Sequence, residues 1–448
     1  MSSPGQLAGD VARSAIQSLV RLYYRKIHVD GRELVPASGP ILCVANHANS
    51  LVDPVVLSLA VKRPVRFLAK APLFEVPVFG DLMHALGMLP AYRAMDDASQ
   101  VSRNLETLAT AAGILVKGET VGLFPEGKSH DAPKVDKVKS GAARIALQAV
   151  REGAANLAIV PLGLNYEDKA RSRTRVWIQI GAPLVMSDWL AGRDTEDKHV
   201  QRELTSEIDR RLKKLVIHLD DPQREPLLDD LGSLVPLALN HHDTDPVAAL
   251  RERKRIADAM NYFLTNERDR AERMAAELKI YHDQVVAAGL TVNSPVFTLR
   301  GGQLLLRNLW LSFLLVMGLI PTAIGTIHHL LPFVIVRGVA ALRPAKGKMA
   351  TTTTRLWLGV PVYALWYAIV WWWIHRENGA LTAALWIIAM PLAGIFALGY
   401  WRQAREVTRL FWQELQALLQ RPKLTELRER QSAIYTQLRQ FADEFQRV

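Results

Sequence analysis

The sequence contains one cysteine, Cys43, in 448 residues. That excludes an intramolecular disulfide framework and any zinc site built from cysteines. Cys43 lies inside an apolar run and reads as a core thiol. No apolar run before residue 300 is long enough to span a bilayer. Residues 1–10 carry no basic charge, and no apolar core precedes a small-residue cleavage pattern, so no cleaved leader is expected. Basic residues are spread out and form no recognised nucleic-acid motif, which argues against a nucleic-acid partner. Acidic residues are outnumbered, 44 against 55 Lys and Arg, for a net charge of +11. That balance suits anionic lipid or phosphorylated substrates. At 49% apolar and 22% charged, the chain is neither disordered nor a mostly buried transporter.

What the first 300 residues lack, the last 150 have. Residues 309–336, 356–374 and 378–401 are uncharged and apolar, and nine of the eleven tryptophans lie beyond residue 300. Tryptophan near segment ends is what interfacial anchoring predicts. The residues between the first two stretches include Arg337, Arg343, Lys346, Lys348 and Arg355, with no acid. Three simple spans would put this basic loop opposite the N-terminal region, against the positive-inside bias. A hairpin within 309–336, broken around Pro321, Gly325, His328, His329 and Pro332, removes the conflict and puts both ends of the chain in the cytoplasm. The absence of ionisable Asp, Glu, Lys or Arg inside the spans favours an anchor over an ion pathway, and the adjacent histidines read as a polar turn.

The division expected from the sequence is an amphipathic helix over 1–29, an α/β domain over 30–220, a helical arm over 221–302, a membrane region over 303–401 and a C-terminal cytoplasmic helix over 402–448. In the first segment Ile16, Leu19, Val20 and Tyr23 recur at helical spacing beside Arg13, Arg21, Arg25 and Lys26, a pattern that fits equally a helix lying on an acidic membrane surface and a surface helix packed on its own domain. Strands are predicted over 41–45, 65–68, 87–92, 121–124, 158–164 and 176–180. Helices are predicted between them, notably over 98–117 and 140–151, which makes an α/β layered domain. A charged amphipathic helix is expected over 196–217, long polar helices over 246–290 and 402–446, and a linker around Pro222.

The first strand runs into Asn46-His47-Ala48-Asn49-Ser50-Leu51-Val52-Asp53-Pro54. Asp53-Pro54 ahead of an apolar helical run reads as a helix start, with Asp at the cap. His47 then lies between a strand end and a helix N-terminus, where α/β folds gather ligands and where anions are favoured. A histidine there can take a proton from an attacking hydroxyl, with a carboxylate on its other nitrogen to fix the tautomer. Five residues separate His47 from Asp53, which leaves Asp53 and Asn49 both open as the orienting partner.

Three further segments accompany it: Gly87-Met88-Leu89-Pro90-Ala91-Tyr92-Arg93, Leu123-Phe124-Pro125-Glu126-Gly127-Lys128-Ser129, and Val160-Pro161-Leu162. Together the four blocks, in this order, resemble the glycerol-phosphate and lysophospholipid (PlsC-like) acyltransferase superfamily over about residues 30–190. The five-residue gap, Phe124 to Asp131, Lys139-Ser140-Gly141, Gly163-Leu164-Asn165-Tyr166 and Arg171-Ser172-Arg173 are most similar to the yeast-type glycerol-3-phosphate/dihydroxyacetone-phosphate acyltransferases. The resemblance implies a glycerol-phosphate acyltransferase-like α/β domain with a C-terminal α-helical membrane region. It implies His47 as general base held by Asp53, and an acceptor site formed by Arg93, Glu126 and Gly127. Lys128, Lys139, Arg171 and Arg173 are further phosphate-binding candidates, and Lys70 also resembles a family position. No metal and no cofactor are expected beyond acyl-CoA or acyl carrier protein as the thioester co-substrate. The expected partners are membrane lipid, a glycerol phosphate acceptor and the acyl donor. The expected location is a membrane, the inner one in a bacterium, with the catalytic domain in the cytoplasm. Glycerol 3-phosphate is the expected acceptor, and lysophosphatidate or another lysophospholipid the alternative.

Overall fold

The computed structural model describes residues 4–77, 79–92, 103–154, 156–169, 171–238, 245, 247–297, 299, 302–342 and 348–447. It falls into two compact units. The first is Met1–Pro222 with Thr244–Asp258 and Gly347–Ala350, and the second is Gln223–Asp243, Ala259–Lys346 and Thr351–Val448.

Eight strands make one mixed sheet in the first unit: β1 (Lys26–Asp30), β2 (Ile41–Ala45), β3 (Val65–Lys70), β4 (Leu89–Ala91), β5 (Thr120–Leu123), β6 (Ala158–Tyr166), β7 (Arg175–Ile180) and β8 (Leu184–Val185). Their order is β1-β7-β6-β2-β5-β3-β4, with β8 beside β6. β2 pairs in parallel with both β5 and β6, and β3 in parallel with β4 and β5. β7 runs antiparallel to β6. All five residues of β2 are buried, as expected of a central strand covered on both faces.

The helices of this unit are α1 (Pro4–Tyr23), α2 (Val52–Val61), α3 (Phe79–Ala85), α4 (Arg103–Val116), α5 (Gly141–Arg151), α6 (Met186–Trp189) and α7 (Lys198–Leu215). The core joins Leu42 and Val44 of β2, Val121 of β5 and Ile159 of β6 to Leu115, Ile145 and Leu212 of the covering helices. In α7 the buried residues Val200, Leu204, Ile208, Leu212 and Leu215 recur every three or four positions, and Asp197 caps the helix by accepting from the His199 amide.

The strand over 41–45 falls where the sequence put it. Two strands were not legible. β1 is a charged five-residue edge strand held parallel to β7, and β8 is two residues long. The N-terminal helix ends at Tyr23, and Val20 and Tyr24 are buried in the first unit. Asp53 does not cap α2. The N-cap is Leu51, and Asp53 lies in the first turn with its carboxylate engaged elsewhere.

The second unit is helical: α8 (Glu225–Ala238), α9 (Ala248–Asn266, from Ala259 onward), α10 (Arg268–Ala287), α11 (Gly302–Met317), α12 (Leu319–Leu342), α13 (Lys348–Leu419) and α14 (Arg421–Phe445). The linker expected around Pro222 is a short 3-10 turn that leads straight into α8. Leu319–Leu342 and Leu358–Ala417 are long and apolar enough to cross a membrane. Gly379, at φ 84° and ψ 171°, breaks the helical geometry of the second, one residue inside the start of the stretch predicted at 378–401. The hairpin expected within 309–336, broken around Pro321 to Pro332, is not formed. The helical hydrogen bonds continue through Gly318, from Leu314 to Thr322, and α12 then runs unbroken past Pro321, Gly325, both histidines and Pro332. The histidines are therefore not a turn. His329 bonds the Gly325 carbonyl through Nδ1 (2.8 Å) and the Tyr367 hydroxyl through Nε2 (2.8 Å).

Candidate active site

The parallel strands β2, β5 and β6 all end on one edge of the sheet. His47 follows β2 by two residues, Glu126 follows β5 by three, and Tyr166 closes β6. Parallel strands present their carboxyl ends together, so residues 79 and 119 positions beyond His47 reach the same place.

His47 and Asp53 are in contact: Nδ1 lies 2.8 Å from Oδ2. The extra residue between them is absorbed by a tight turn. Ser50 takes φ 47°, and the Val52 and Asp53 amides bond back to the Asn49 and Ser50 carbonyls. The Asp53 side chain is fully buried while the His47 ring is 17% exposed. Asn49 is not the ring's partner: its amide donates to Asp53 Oδ2 (2.7 Å), and its side chain donates to the Tyr24 hydroxyl (2.9 Å). The Tyr166 hydroxyl donates to Asp53 Oδ1 (2.6 Å). A buried carboxylate is costly unless its oxygens accept hydrogen bonds, and here both are occupied. Burial, and then the Asp53 charge, push the Tyr166 hydroxyl well above its usual range, so it stays a donor. Burial, then Tyr23 and Asp53, raise Tyr24 likewise.

The imidazole lies flat on Phe124, with ring centroids 4.4 Å apart and planes 14° apart. Phe124 in turn is parallel to Phe67. Gly122 of β5 is what admits Phe67, because a Cβ there would come within 2.4 Å of its ring. Beyond Phe67 is a small, mainly apolar and partly open cleft of about 50 Å³ between α1, α2 and β3, lined by Ile16, Pro54, Val55, Phe67, Leu86 and Met88 among others. It adjoins the first turn of the helix that carries Asp53.

Glu126 is also brought to His47, but by its main chain. Its fully buried carboxylate accepts from the His47 amide (Oε1, 2.6 Å), from His130 Nε2 (Oε2, 2.5 Å) and from the Asp136 amide (Oε2, 2.9 Å). Gly127, at φ 70°, turns the chain and leaves room for the Lys139 ammonium, which would be 2.7 Å from a Cβ there. Lys128 pairs with Asp136 at 2.8 Å and thereby holds that carboxyl down at about 2.

Arg171 and Arg173 have partners of their own. Arg171 pairs with Asp168 (3.2 Å), and Arg173 donates from its guanidinium to the Leu22 carbonyl (3.3 Å). Lys70 ends β3. Arg93 lies outside the described residues. The sequence did not single out Tyr24, Tyr166, His130 or Lys169. Lys169 donates to the backbone carbonyls of Asp131 (3.0 Å) and His130 (3.4 Å), beside the third block. For Tyr166 and His130 the available signal was their place in the extended third and fourth blocks. Tyr24 had none, since its partner is 25 residues away on another element.

Residues 26–165 match the Acyltransferase family model. The matched stretch lies in the first unit and runs from β1 into β6. The chain is similar to an uncharacterized acyltransferase of Schizosaccharomyces pombe, 24% identical over 37% of this chain and 37% of that protein. It is similar to a chloroplastic 1-acyl-sn-glycerol-3-phosphate acyltransferase of Arabidopsis thaliana, 32% identical over 32% of this chain and 36% of that one. A third relative is a glycerol-3-phosphate O-acyltransferase of Saccharomyces cerevisiae, 22% identical over 49% of this chain and 41% of that one. The match thus spans well under half the length of each of these relatives. A solved 1-acyl-sn-glycerophosphate acyltransferase from Thermotoga maritima is 21% identical with a TM-score of 0.35, covering 47% of this chain and 82% of that one.

Proposed function

We propose that this protein is a membrane-bound O-acyltransferase that moves a fatty acyl group from a thioester, acyl-CoA or acyl carrier protein, to a hydroxyl of glycerol 3-phosphate. The observation that carries the reading is the 2.8 Å contact between His47 Nδ1 and buried Asp53. Asp53 keeps the proton on Nδ1, so Nε2 is the basic atom. The acceptor hydroxyl gives its proton to Nε2 as its oxygen attacks the thioester carbonyl. Collapse of the tetrahedral intermediate breaks the carbon–sulfur bond, and the thiolate recovers the proton from the imidazolium. Asp53 stabilises that imidazolium and does not itself take up the proton.

The small apolar cleft beside α2 lies next to the helix turn that carries Asp53, and this reading gives it to the start of the acyl chain. For the acceptor phosphate, Lys139 beside Gly127 and Lys128 are cations on the third-block loop. Arg93 is the first choice by the sequence, because a guanidinium can bind phosphate through two parallel hydrogen bonds. Arg171 and Arg173 rank behind these, given their present partners. The two apolar helices support a membrane location, and this reading puts the catalytic domain on the cytoplasmic side, with the thioester donor.

Lysophosphatidate as acceptor is the second reading, supported by the name of the Arabidopsis relative. Two Saccharomyces cerevisiae relatives named as glycerol-3-phosphate O-acyltransferases support the first. The deciding experiment supplies purified full-length protein with labelled acyl-CoA or acyl carrier protein and each acceptor in turn. Labelled lysophosphatidate formed from glycerol 3-phosphate is the expected product. Label that appears only as phosphatidate, and only when lysophosphatidate is supplied, would overturn the preference.

A further inference from the structure

The His47 residue is held at two levels. Asp53 and Phe124 hold the ring, while the segment Glu126 to His130 holds the main chain on both sides. The His47 amide donates to Glu126 Oε1 at 2.6 Å, and the His47 carbonyl accepts from the His130 amide at 3.3 Å. The carboxylate that takes the first bond has no exposed atoms and no lone pair turned to solvent. Its second oxygen is shared by His130 Nε2 and the Asp136 amide.

The His47 amide engages Oε1 and the Asp136 amide engages Oε2, so Glu126 accepts on both oxygens. His130 must be the donor in its pair. Its Nδ1 is buried without a hydrogen-bond partner, and a buried unpaired N–H costs more than a buried lone pair. The ring proton therefore sits on Nε2 and points at Glu126. With both oxygens engaged and the side chain fully buried, Glu126 presents no oxygen to an acceptor in this arrangement, in contrast to the acceptor-site role implied by the family resemblance.

We propose that Glu126 and His130 are positioning residues: a second carboxylate–imidazole pair that fixes the backbone of the general base and does not touch the acceptor. The inference rests on the reading of His47 as the base. Misplacing a reacting group by about 1 Å costs on the order of a hundredfold in rate, so slack in this backbone bond acts on turnover and leaves substrate affinity alone.

The test compares Glu126→Gln, His130→Ala and His130→Gln in the full-length protein, with two readouts. Glu126→Gln brings an amide donor against the Asp136 N–H. His130→Ala removes the donor, and His130→Gln restores one at similar reach. Glu126→Gln and His130→Ala are expected to lower kcat by about 10- to 100-fold, with KM for glycerol 3-phosphate and for acyl-CoA within about twofold of wild type. His130→Gln is expected to stay close to wild type. Amide hydrogen exchange at His47 is expected to rise in the first two variants and remain slow in the third, while β6 serves as the control for folding. A rise in KM for glycerol 3-phosphate at unchanged kcat would overturn the inference, as would a His130→Ala protein that matches wild type in both readouts. If wild type transfers acyl groups to no acceptor, the proposed function falls, and the exchange pattern at His47 still decides the positioning claim.

Discussion

The two units of this chain differ in what they leave outside. In the first, large aliphatic side chains such as Leu42, Leu115, Ile145 and Ile159 are inside, and the few buried charges, Asp53 and Glu126, have their oxygens occupied by hydrogen bonds. In the second, Leu306, Ile320, Ile327 and Leu381 are 70%, 72%, 75% and 75% exposed. Ordinary soluble surfaces do not present such patches at this scale. Apolar side chains turned outward on helices of spanning length are at rest only in a hydrocarbon solvent. One unit thus makes a water-excluding interior for a few polar groups, and the other carries two helices whose length and outward apolar faces suit a bilayer.

If that contrast is right, the largest single effect should come from His47. His47→Ala is expected to lower turnover by about a hundredfold to ten-thousandfold, the range of a general base, with folding and membrane insertion unchanged. Turnover at the wild-type rate in that variant would remove the mechanism. Next comes the outward face. Ile327→Arg near the middle of α12 is expected to cost about 2.5–3.5 kcal/mol of insertion, read as a reduced membrane-integrated fraction. An undiminished fraction would show that this face does not meet lipid.

Smaller is the hydroxyl behind Asp53. Tyr166→Phe leaves a buried carboxylate oxygen without its 2.6 Å donor, and is expected to destabilise the first unit by about 1–3 kcal/mol, measured as a lower unfolding temperature. No change would mean that the donor is dispensable. Smallest is a pH effect. His218 accepts the Val135 N–H on Nδ1 (3.0 Å), and burial holds its pKa below 6.5 against the opposing pull of Asp220. The unfolded chain therefore binds a proton that the folded chain resists. This contribution is fully present above the ordinary imidazole pKa and is lost as pH falls through it. His218→Asn keeps an acceptor but cannot titrate, so the acid-side fall in stability should become shallower. An identical slope would exclude His218 as its source.

Much of this contrast was legible in the residue order. The apolar runs after residue 300 are a one-dimensional signal, and so is the all-buried strand over 41–45. β1 escaped because its alternation, Lys26-Ile27-His28-Val29-Asp30, is only five residues long and follows directly on the N-terminal helix, whose pattern was read as running to residue 29; it is a strand because β7 offers it partners. The hairpin expectation failed for a related reason. Proline and glycine weaken a helix locally, but near the N-terminus of α12 Pro321 falls where a missing N–H costs little. Gly325 is used for close approach, since a Cβ there would meet the Ala393 carbonyl at 2.2 Å.

The sequence by itself determined which chemistry is available: one histidine at a strand end with a carboxylate six positions on, and apolar lengths that match a bilayer. Hydrophobic periodicity and run length are local properties, and they survive in the order of residues. Only the tertiary structure decided what each polar group bonds. Asp53 rather than Asn49 meets the ring, Tyr166 meets Asp53 across 113 residues, and Glu126 grips the base by its backbone across 79. A hydrogen bond depends on direction and on a few tenths of an ångström, and parallel strands bring such partners together from places the chain order keeps far apart.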